Sequence, residues 1–266
     1  MWTKNAERTL PPVLKRASEV LPNSAIDKRI LIDDHSVDGT REIAERFGWI
    51  VYPDPHGGLA SGFNSALAYV DNEFFISLEA DLVIAYDWMN RIPKYMDDPT
   101  VHCASGIRYP DDPILRKIHE YALERSHYTM GSMDNTIWKT DLVKKYVLPV
   151  PKRLRYGAAD SYIRLRLEKH GFHAVVDPKV VSVHLRRGGL HGELNRFYRY
   201  GLYAPRSKGE YIDETELKRA FKIAMLSPLR GSEIALKKHC PQIFYYYPLI
   251  RFAFLHGALK RGGEVY

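Results

Sequence analysis

Short apolar runs that end abruptly in acids recur in the first part of the chain. Ile30-Leu31-Ile32 leads into Asp33-Asp34-His35-Ser36-Val37-Asp38-Gly39-Thr40, and Phe74-Phe75-Ile76-Ser77-Leu78 leads into Glu79-Ala80-Asp81-Leu82. A continuous apolar run without alternation marks a strand buried on both faces, as in parallel sheets. The acids then lie at the C-terminal edge of the sheet, where open α/β sheets bind ligands. Trp49 to Tyr52 predicts another strand. Helices are expected between these runs. Pro11-Pro12 starts one that continues to about Leu21, since proline is tolerated only in a first turn. Asp38-Gly39-Thr40 forms a turn from which Thr40 caps a helix over Arg41 to Phe47. Gly57-Gly58 loosens the backbone before a helix from about Leu59 to Tyr69. The alternation predicts an α/β fold, a doubly wound, mostly parallel sheet flanked by helices.

Further along, Asp87 to Met96 reads as a helix, Val101 to Ile107 as a strand and Pro113 to Arg125 as an amphipathic helix. Ala174 to Val176 and Val180 to Leu185 form a strand pair. The pattern then changes, dividing the chain into a domain over 1–190 and a helical, aromatic and basic tail over 191–266. In the tail, Phe197 to Tyr203 is aromatic and basic, and Leu217 to Leu226 is an amphipathic helix. The apolar stretch Ile243 to His256 is interrupted by Pro248, Arg251 and His256, which argues against a transmembrane helix of about 20 apolar residues. Its aromatics beside Lys260 and Arg261 predict an interfacial helix lying on an anionic bilayer. Packing against the domain or against a second subunit in a homodimer is the competing expectation.

Composition narrows the class. The 266 residues suit one large α/β domain with a tail, and the formal charge of +7 favours anionic partners. Basic residues are dispersed, with short clusters at Lys152-Arg153-Leu154-Arg155, Arg186-Arg187 and Lys237-Lys238 and no nucleic-acid module, so nucleic acid is not expected as a partner. Cys103 and Cys240 form no metal or disulfide pattern, which fits a reducing compartment. The start lacks the apolar core of a signal peptide. The expected location is cytoplasmic, with peripheral contact to the cytoplasmic face of a membrane through the tail.

Glu79 and Asp81 are two apart, so on an extended backbone both carboxylates leave the same face and can share one hard cation. Oxygen ligands favour Mg²⁺ or Mn²⁺, and the first expectation is metal-dependent phosphate chemistry. The plainer alternative for these acids, and for Asp33 and Asp34, is local capping at a strand end. No Gly-x-Gly-x-x-Gly follows a strand, which sets a Rossmann dehydrogenase aside.

Four segments in order carry a resemblance. Thr3-Lys4-Asn5-Ala6-Glu7, Asp33-Asp34-His35-Ser36 with Asp38-Gly39-Thr40, Gly58-Leu59-Ala60-Ser61-Gly62-Phe63-Asn64-Ser65-Ala66, and Glu79-Ala80-Asp81 resemble glycosyltransferase family 2, with the GT-A fold, up to about Leu185. The resemblance implies transfer of a sugar, with inversion, from a nucleoside diphosphate donor, UDP before GDP, to a glycan, hydroxyl or lipid-phosphate acceptor. It places Thr3, Glu7, Asp33, Asp34 and Glu79 around the nucleotide. One of the Asp33-Asp34 pair accepts from the base and the other supports the ribose and loop, in an order left open. Glu79-Ala80-Asp81 stands where the family has Asp-x-Asp, with Asp81 the main metal ligand and Glu79 acting through water or on the ribose. His184 would complete the metal site, with His191 a weaker substitute, and Arg186 or Arg187 would meet phosphate oxygens.

The same resemblance matches Gly157-Ala158-Ala159-Asp160 and the residues up to Leu167 to the family's Glu-Asp motif at a helix start. Asp160 is the implied general base, and Ala159 replaces the usual Glu; helix capping is the alternative for Asp160. Asn135 to Lys139 resembles the family's strand bordering the acceptor cleft, before a helix over Thr140 to Tyr146; Trp138 on it is expected in the core, with stacking on a sugar the alternative. Arg108 would steady a phosphate, or else be solvated. The family's first strand is long, whereas only Met1 and Trp2 precede Thr3, so that strand is expected to be truncated. Two other classes fit less well: a nucleotide-sugar nucleotidyltransferase, whose Gly-rich, lysine-bearing loop has no match, and a non-catalytic scaffold keeping the fold.

Overall fold

A computed structural model describes residues 1–125, 134–151, 154, 158–186, 188–203 and 214–260. The chain packs into two units. The first comprises Met1–Tyr109, Tyr128–Arg153 and Tyr162–Leu185; the second comprises Pro110–His127, Leu154–Ser161 and Arg186–Tyr266.

The first unit holds the sheets. Strands β1 (Trp2–Thr3), β2 (Ile30–Asp33) and β3 (Ile50–Pro53) form a parallel sheet in the order β1-β2-β3, with Thr3 opposite Asp33 and Asp33 opposite Pro53. β2 is the apolar run expected of a central strand, and Leu31 and Ile32 are fully buried. β1 is two residues long, and a parallel bridge joins Trp2 to Glu79, just past β4 (Phe74–Leu78). β4 begins a second, five-stranded sheet ordered β4-β7-β6-β8-β5, with β5 at Leu82–Val83, β6 at Val101–Pro110, β7 at Asn135–Lys139 and β8 at His173–His184. Here β4 runs antiparallel to β7, β7 to β6, and β5 to β8. Acids that follow β2, β3 and β4 therefore share the C-terminal edge of the parallel strands.

Helices α1 (Leu10–Val20), α2 (Thr40–Arg46) and α4 (Trp88–Arg91) bury their apolar faces with the sheets in one core, which includes Leu10, Leu14, Leu31, Ile43, Leu78, Trp88, Ala104, Ile137 and Val180. Helix α3 (Leu59–Leu67) follows β3, and α6 (Thr140–Tyr146) follows β7 directly. An aromatic row crosses strands β4, β7 and β6: Phe63 meets Phe75 edge-on, Phe75 stacks on Trp138, and Trp138 stacks on His102 at 5.9 Å.

Three local expectations are corrected. Asp87 to Met96 is two elements, because Pro93 lacks the N–H a continuous helix needs; α4 ends at Arg91 and a 3₁₀ turn covers Pro93–Asp97. Thr40 is the first residue of α2 and Gly39 its cap, while the Thr40 hydroxyl is buried, accepting from the Ala6 N–H at 2.7 Å. The pair of strands around Asp177-Pro178 is one strand, β8. The Asp177 carboxylate accepts from the Lys179 N–H at 2.9 Å, from Arg91 Nη2 at 2.9 Å and from the Tyr95 hydroxyl at 3.1 Å, so the chain is held straight where sequence suggests a turn. Burial alone would raise the Asp177 pKa; these hydrogen bonds outweigh it and leave the carboxyl below its usual range.

The second unit is helical: α5 (Pro113–Leu123), α8 (Gly189–Tyr203), α9 (Glu214–Met225), α10 (Ser227–Lys237) and α11 (Ile243–Leu259). Asp112 caps α5 by accepting from the Ile114 and Leu115 N–H groups. One cluster joins Leu115, Ile118, Tyr121, Ile234, Ile243, Tyr246 and Ile250. Helices α8 and α11 touch backbone to backbone, since a Cβ on Gly257 would stand 2.0 Å from the Tyr198 carbonyl oxygen and one on Gly201 1.9 Å from that of Phe254. Among the described residues no helix is long and apolar enough to cross a membrane.

His102 supplies a pH dependence. Its ring is fully buried, and neither nitrogen has a hydrogen-bond partner among the described residues. Burial, with help from nearby His173 and Arg164, lowers its pKa from 6.5 to about 4. The fold therefore refuses a proton that the unfolded chain accepts below about pH 6.5, and stability falls as pH drops from there toward 4. The loss from this group approaches roughly 3 kcal/mol. In urea unfolding at pH 7 and pH 4.5, His102→Phe is expected to keep clearly more of its neutral-pH stability than the unmodified chain; equal losses would refute the assignment.

Candidate active site

The loop after β2 is built by short carboxylate-to-backbone bonds. Asp33 is 2 % exposed, and both its oxygens accept from the Ser36 N–H, at 3.3 and 3.2 Å. Arg41 Nε lies 4.0 Å from it. The segment after β1 grips the same loop: the Asn5 side-chain oxygen accepts from the Val37 N–H at 3.0 Å, and Glu7 Oε2 accepts from the Gly39 N–H at 3.2 Å. Glu7 itself is exposed, and Thr3 is buried with its carbonyl accepting from the Asp34 N–H at 2.8 Å. Asp38 accepts from the Glu7 and Thr40 N–H groups and from the Thr40 hydroxyl; burial raises its pKa, and these bonds more than reverse that.

Asp34 faces a different way. Lys4 Nζ is 3.6 Å and His35 Nδ1 3.4 Å from its Oδ1, and its Oδ2 accepts from the Gly58 N–H at 3.2 Å. The glycine loop needs its first glycine, because Gly57 has φ +69° and a Cβ there would stand 2.9 Å from Asp34 Oδ1. Asp33 thus serves the loop, and Asp34 joins Lys4 to the glycine turn.

The second carboxylate group gathers at the end of β4. Period-2 alternation along β8 turns Val180, Ser182 and His184 inward and Val181 and Val183 outward. His184 pairs with Leu82 in the ladder, and its Nε2 lies 3.2 Å from Asp81 Oδ1 and 3.8 Å from Glu79 Oε2. The fourth member, Asp134, was not among the residues expected from sequence. It precedes β7, and the register Leu78↔Asn135 brings it beside Glu79, whose N–H donates to the Asp134 carbonyl at 3.3 Å. Ligand atoms of Glu79, Asp134 and His184 lie within 4.8 Å of one another, a spacing that suits a single cation. The Asp134 carboxylate is 1 % exposed and ion-paired with Arg108. Arg108 is therefore engaged by a buried acid, contrary to the simple solvated alternative. Only strand pairing reveals Asp134, because nothing in Asp134-Asn135 read alone separates it from a loop residue. Buried Asp54 was also missed, although it follows the apolar run Ile50 to Pro53 just as Asp33 ends β2. It accepts from Trp2 Nε1 at 3.3 Å, from the His56 N–H at 3.3 Å and from the Ser61 hydroxyl.

Trp138 is a core residue, 1 % exposed, with its indole N–H donating to Ser77 Oγ at 2.8 Å, so no face is open for a sugar. Asp160 is half-buried and lies in the first turn of α7 (Ala158–Glu168), inside the helix rather than at its cap, where the helix dipole favours a carboxylate. Ala159 beside it is fully buried. Arg186 donates its N–H to Asp111 Oδ1 at 2.7 Å, and His191 meets the Asn195 amide at 3.1 Å. Arg187 lies outside the described residues.

Glu79, Asp81 and His184 thus lie together at the end of β4. The sequence profile of Glycosyl transferase family 2 matches residues 1–144. The chain belongs to that family. No curated protein sequence matches it significantly. Among solved structures, this glycosyltransferase is similar to the mannosyltransferase PcManGT from Pyrobaculum calidifontis in complex with GDP-Man and Mn²⁺. The TM-score is 0.69 and identity 18 %, over 98 % of this chain and 85 % of that one. It is also similar to glucosyl-3-phosphoglycerate synthase from Mycobacterium tuberculosis in complex with Mn²⁺, UDP and phosphoglyceric acid. There the TM-score is 0.57 and identity 14 %, over 78 % and 76 % of the two chains. At such identities the likeness is one of fold, the α/β GT-A architecture.

The Asp33 contacts yield a prediction. Asp33→Ala removes the acceptor that holds the Ser36 N–H, worth about 1 kcal/mol. Hydrogen exchange at the Ser36 amide is expected to accelerate several-fold while the α1 amides keep their rates; an unchanged Ser36 rate would mean that the loop is held by the Asn5 and Glu7 contacts alone.

Proposed function

We propose that this glycosyltransferase moves a sugar, with inversion, from a nucleoside diphosphate donor to a hydroxyl or lipid-phosphate acceptor, assisted by Mn²⁺ or Mg²⁺. The observation that carries the proposal is the convergence of Glu79, Asp134 and His184, with Asp81 against His184, at the C-terminal edge of β4. Carboxylate oxygens with one imidazole suit Mn²⁺ and accommodate Mg²⁺, so the residues present fit a divalent ion. Such an ion would supply Lewis-acid neutralisation of a diphosphate leaving group. The Mn²⁺ complexes of two similar folds support this reading. Asp34, beside the glycine turn, is the better candidate for contact with the nucleotide base, and Asp33 supports the ribose and loop from behind. Those two folds were solved with GDP-Man and with UDP; a UDP-sugar is the first donor to test and a GDP-sugar the second. Asp160 is assigned as the base that takes the acceptor proton.

We also propose that the tail contacts an anionic membrane surface from the cytoplasmic side. Along α11, Phe244, Tyr245, Leu249, Phe252 and Leu259 are 40–59 % exposed and recur at helical spacing on one face. Exposed Phe221, Met225 and Leu229 lie near exposed Lys222 and Arg230. Apolar side chains interleaved with cations suit the boundary between headgroups and acyl chains.

Two experiments test these assignments. In calorimetric titrations with UDP, GDP and their sugar conjugates, with and without Mn²⁺, Asp81→Ala is expected to abolish the metal-dependent part of binding. Asp160→Asn should leave binding unchanged and lower transfer by about 10²- to 10⁴-fold; near-normal turnover would rule Asp160 out as base. In vesicle flotation, the chain is expected to rise with phosphatidylglycerol vesicles and stay down with phosphatidylcholine vesicles, and Phe244→Ser with Phe252→Ser should weaken that association. A stable dimer in solution that ignores both vesicle types would assign the apolar face to a second subunit instead.

A further inference from the structure

We propose that Asp134 is a carboxylate ligand of the divalent cation, and that Arg108 is its internal competitor, holding the Asp134 charge until the cation takes it over. The inference rests on the cation-dependent reading above and adds to it an exchange of partners within the protein. Asp134 is 1 % exposed; its Oδ2 is in contact with the Arg108 guanidinium, and its Oδ1 has no hydrogen-bond partner among the described residues. A buried carboxylate normally fills its lone pairs, because desolvation costs too much otherwise. Here its charge is met by the Arg108 guanidinium, which is 25 % exposed on β6. This carboxylate, with one oxygen unpartnered, also places an oxygen within 4.8 Å of ligand atoms on Glu79 and His184.

The electrostatics favour an exchange. With no cation present, Glu79, Asp81 and Asp134 crowd three carboxylates around one imidazole, and Arg108 offsets the most buried of them. A divalent cation would neutralise the same carboxylates more strongly, leaving the guanidinium overcompensated beside it. Arg108, hinged on a long side chain with one quarter of its surface open, then turns toward an anion. In the proposed reaction that anion is the diphosphate, for which a planar guanidinium is well suited. Arg108 would lower the affinity of the free protein for the cation and raise the affinity of the cation-loaded protein for a diphosphate.

The experiment is a Mn²⁺ titration followed by electron paramagnetic resonance, with and without UDP or GDP, on the intact chain, Asp134→Asn, Arg108→Gln and the double variant, with circular dichroism melts to verify folding. Asp134→Asn is expected to weaken Mn²⁺ binding by about tenfold or more. Arg108→Gln should tighten nucleotide-free Mn²⁺ binding several-fold while weakening diphosphate affinity at saturating Mn²⁺. The double variant, in which two neutral amides face each other, covers the case in which Arg108→Gln alone does not fold; it should bind Mn²⁺ as weakly as Asp134→Asn. A purely structural pair predicts lower melting temperatures with an unchanged Mn²⁺ affinity in the folded variants, and that result would overturn the inference alone. Failure of the unmodified chain to bind Mn²⁺ under any of these conditions would overturn the cation-dependent reading and the inference together.

Discussion

The register of β4 against β7 is the constraint on which the site depends. Pairing Leu78 with Asn135 places the residues just beyond each strand, Glu79 and Asp134, side by side. A slip of one residue would turn every side chain of β4 to the opposite face, moving Phe75 and Ser77 away from Trp138. The aromatic row and the indole hydrogen bond to Ser77 therefore fix the same register that assembles the carboxylates. The buried Trp138 indole thereby helps hold the polar edge in place from within the core.

A second constraint is charge. Acids collect at the edge where β2, β3 and β4 end and β7 begins, and each is handled by a different neighbour. Asp33 is met by a loop N–H, Asp34 by Lys4 and a glycine N–H, Asp54 by Trp2 and Ser61, and Asp134 by Arg108. Acids answered by backbone and short polar groups are locked into the fold. Those answered by longer, partly exposed cations keep freedom to change partners, which is the property a binding edge requires.

Much of this was legible in the sequence because the signals were strong and local. The unbroken apolar run of β2 appears where its pattern puts it, and the Asn135–Lys139 strand with the helix after it appears where the resemblance puts them. Glu79, Asp81 and His184 are expected from the resemblance to share one site, and the fold places them together. What could not be read depended on partners distant in sequence. Asp177-Pro178 looks like a turn until Arg91 and Tyr95 are seen to pin the carboxylate and carry the strand through. Asp134 is an ordinary loop acid until β7 is paired, and Trp138, for which sequence offers the core first and a sugar platform second, is settled in the core once β4 and β6 flank it. Helix α8 was seen only as an aromatic and basic segment, since the closeness permitted by Gly201 and Gly257 is a property of two surfaces together.

The topology has a consequence in time. The parallel strands β1, β2 and β3 are close neighbours in the chain, and their loop contacts need modest chain closure. The Asp81–His184 contact requires β8 to return across the intervening sequence and pair with β5, a closure whose entropy grows with the length spanned and slows folding. A nascent or refolding chain would therefore complete the loop around Asp33 well before Glu79, Asp81 and Asp134 acquire their histidine. Incompletely folded molecules would expose an acidic, half-built edge, so divalent cations that favour the finished cluster would pull the last strand into place and act as folding ligands.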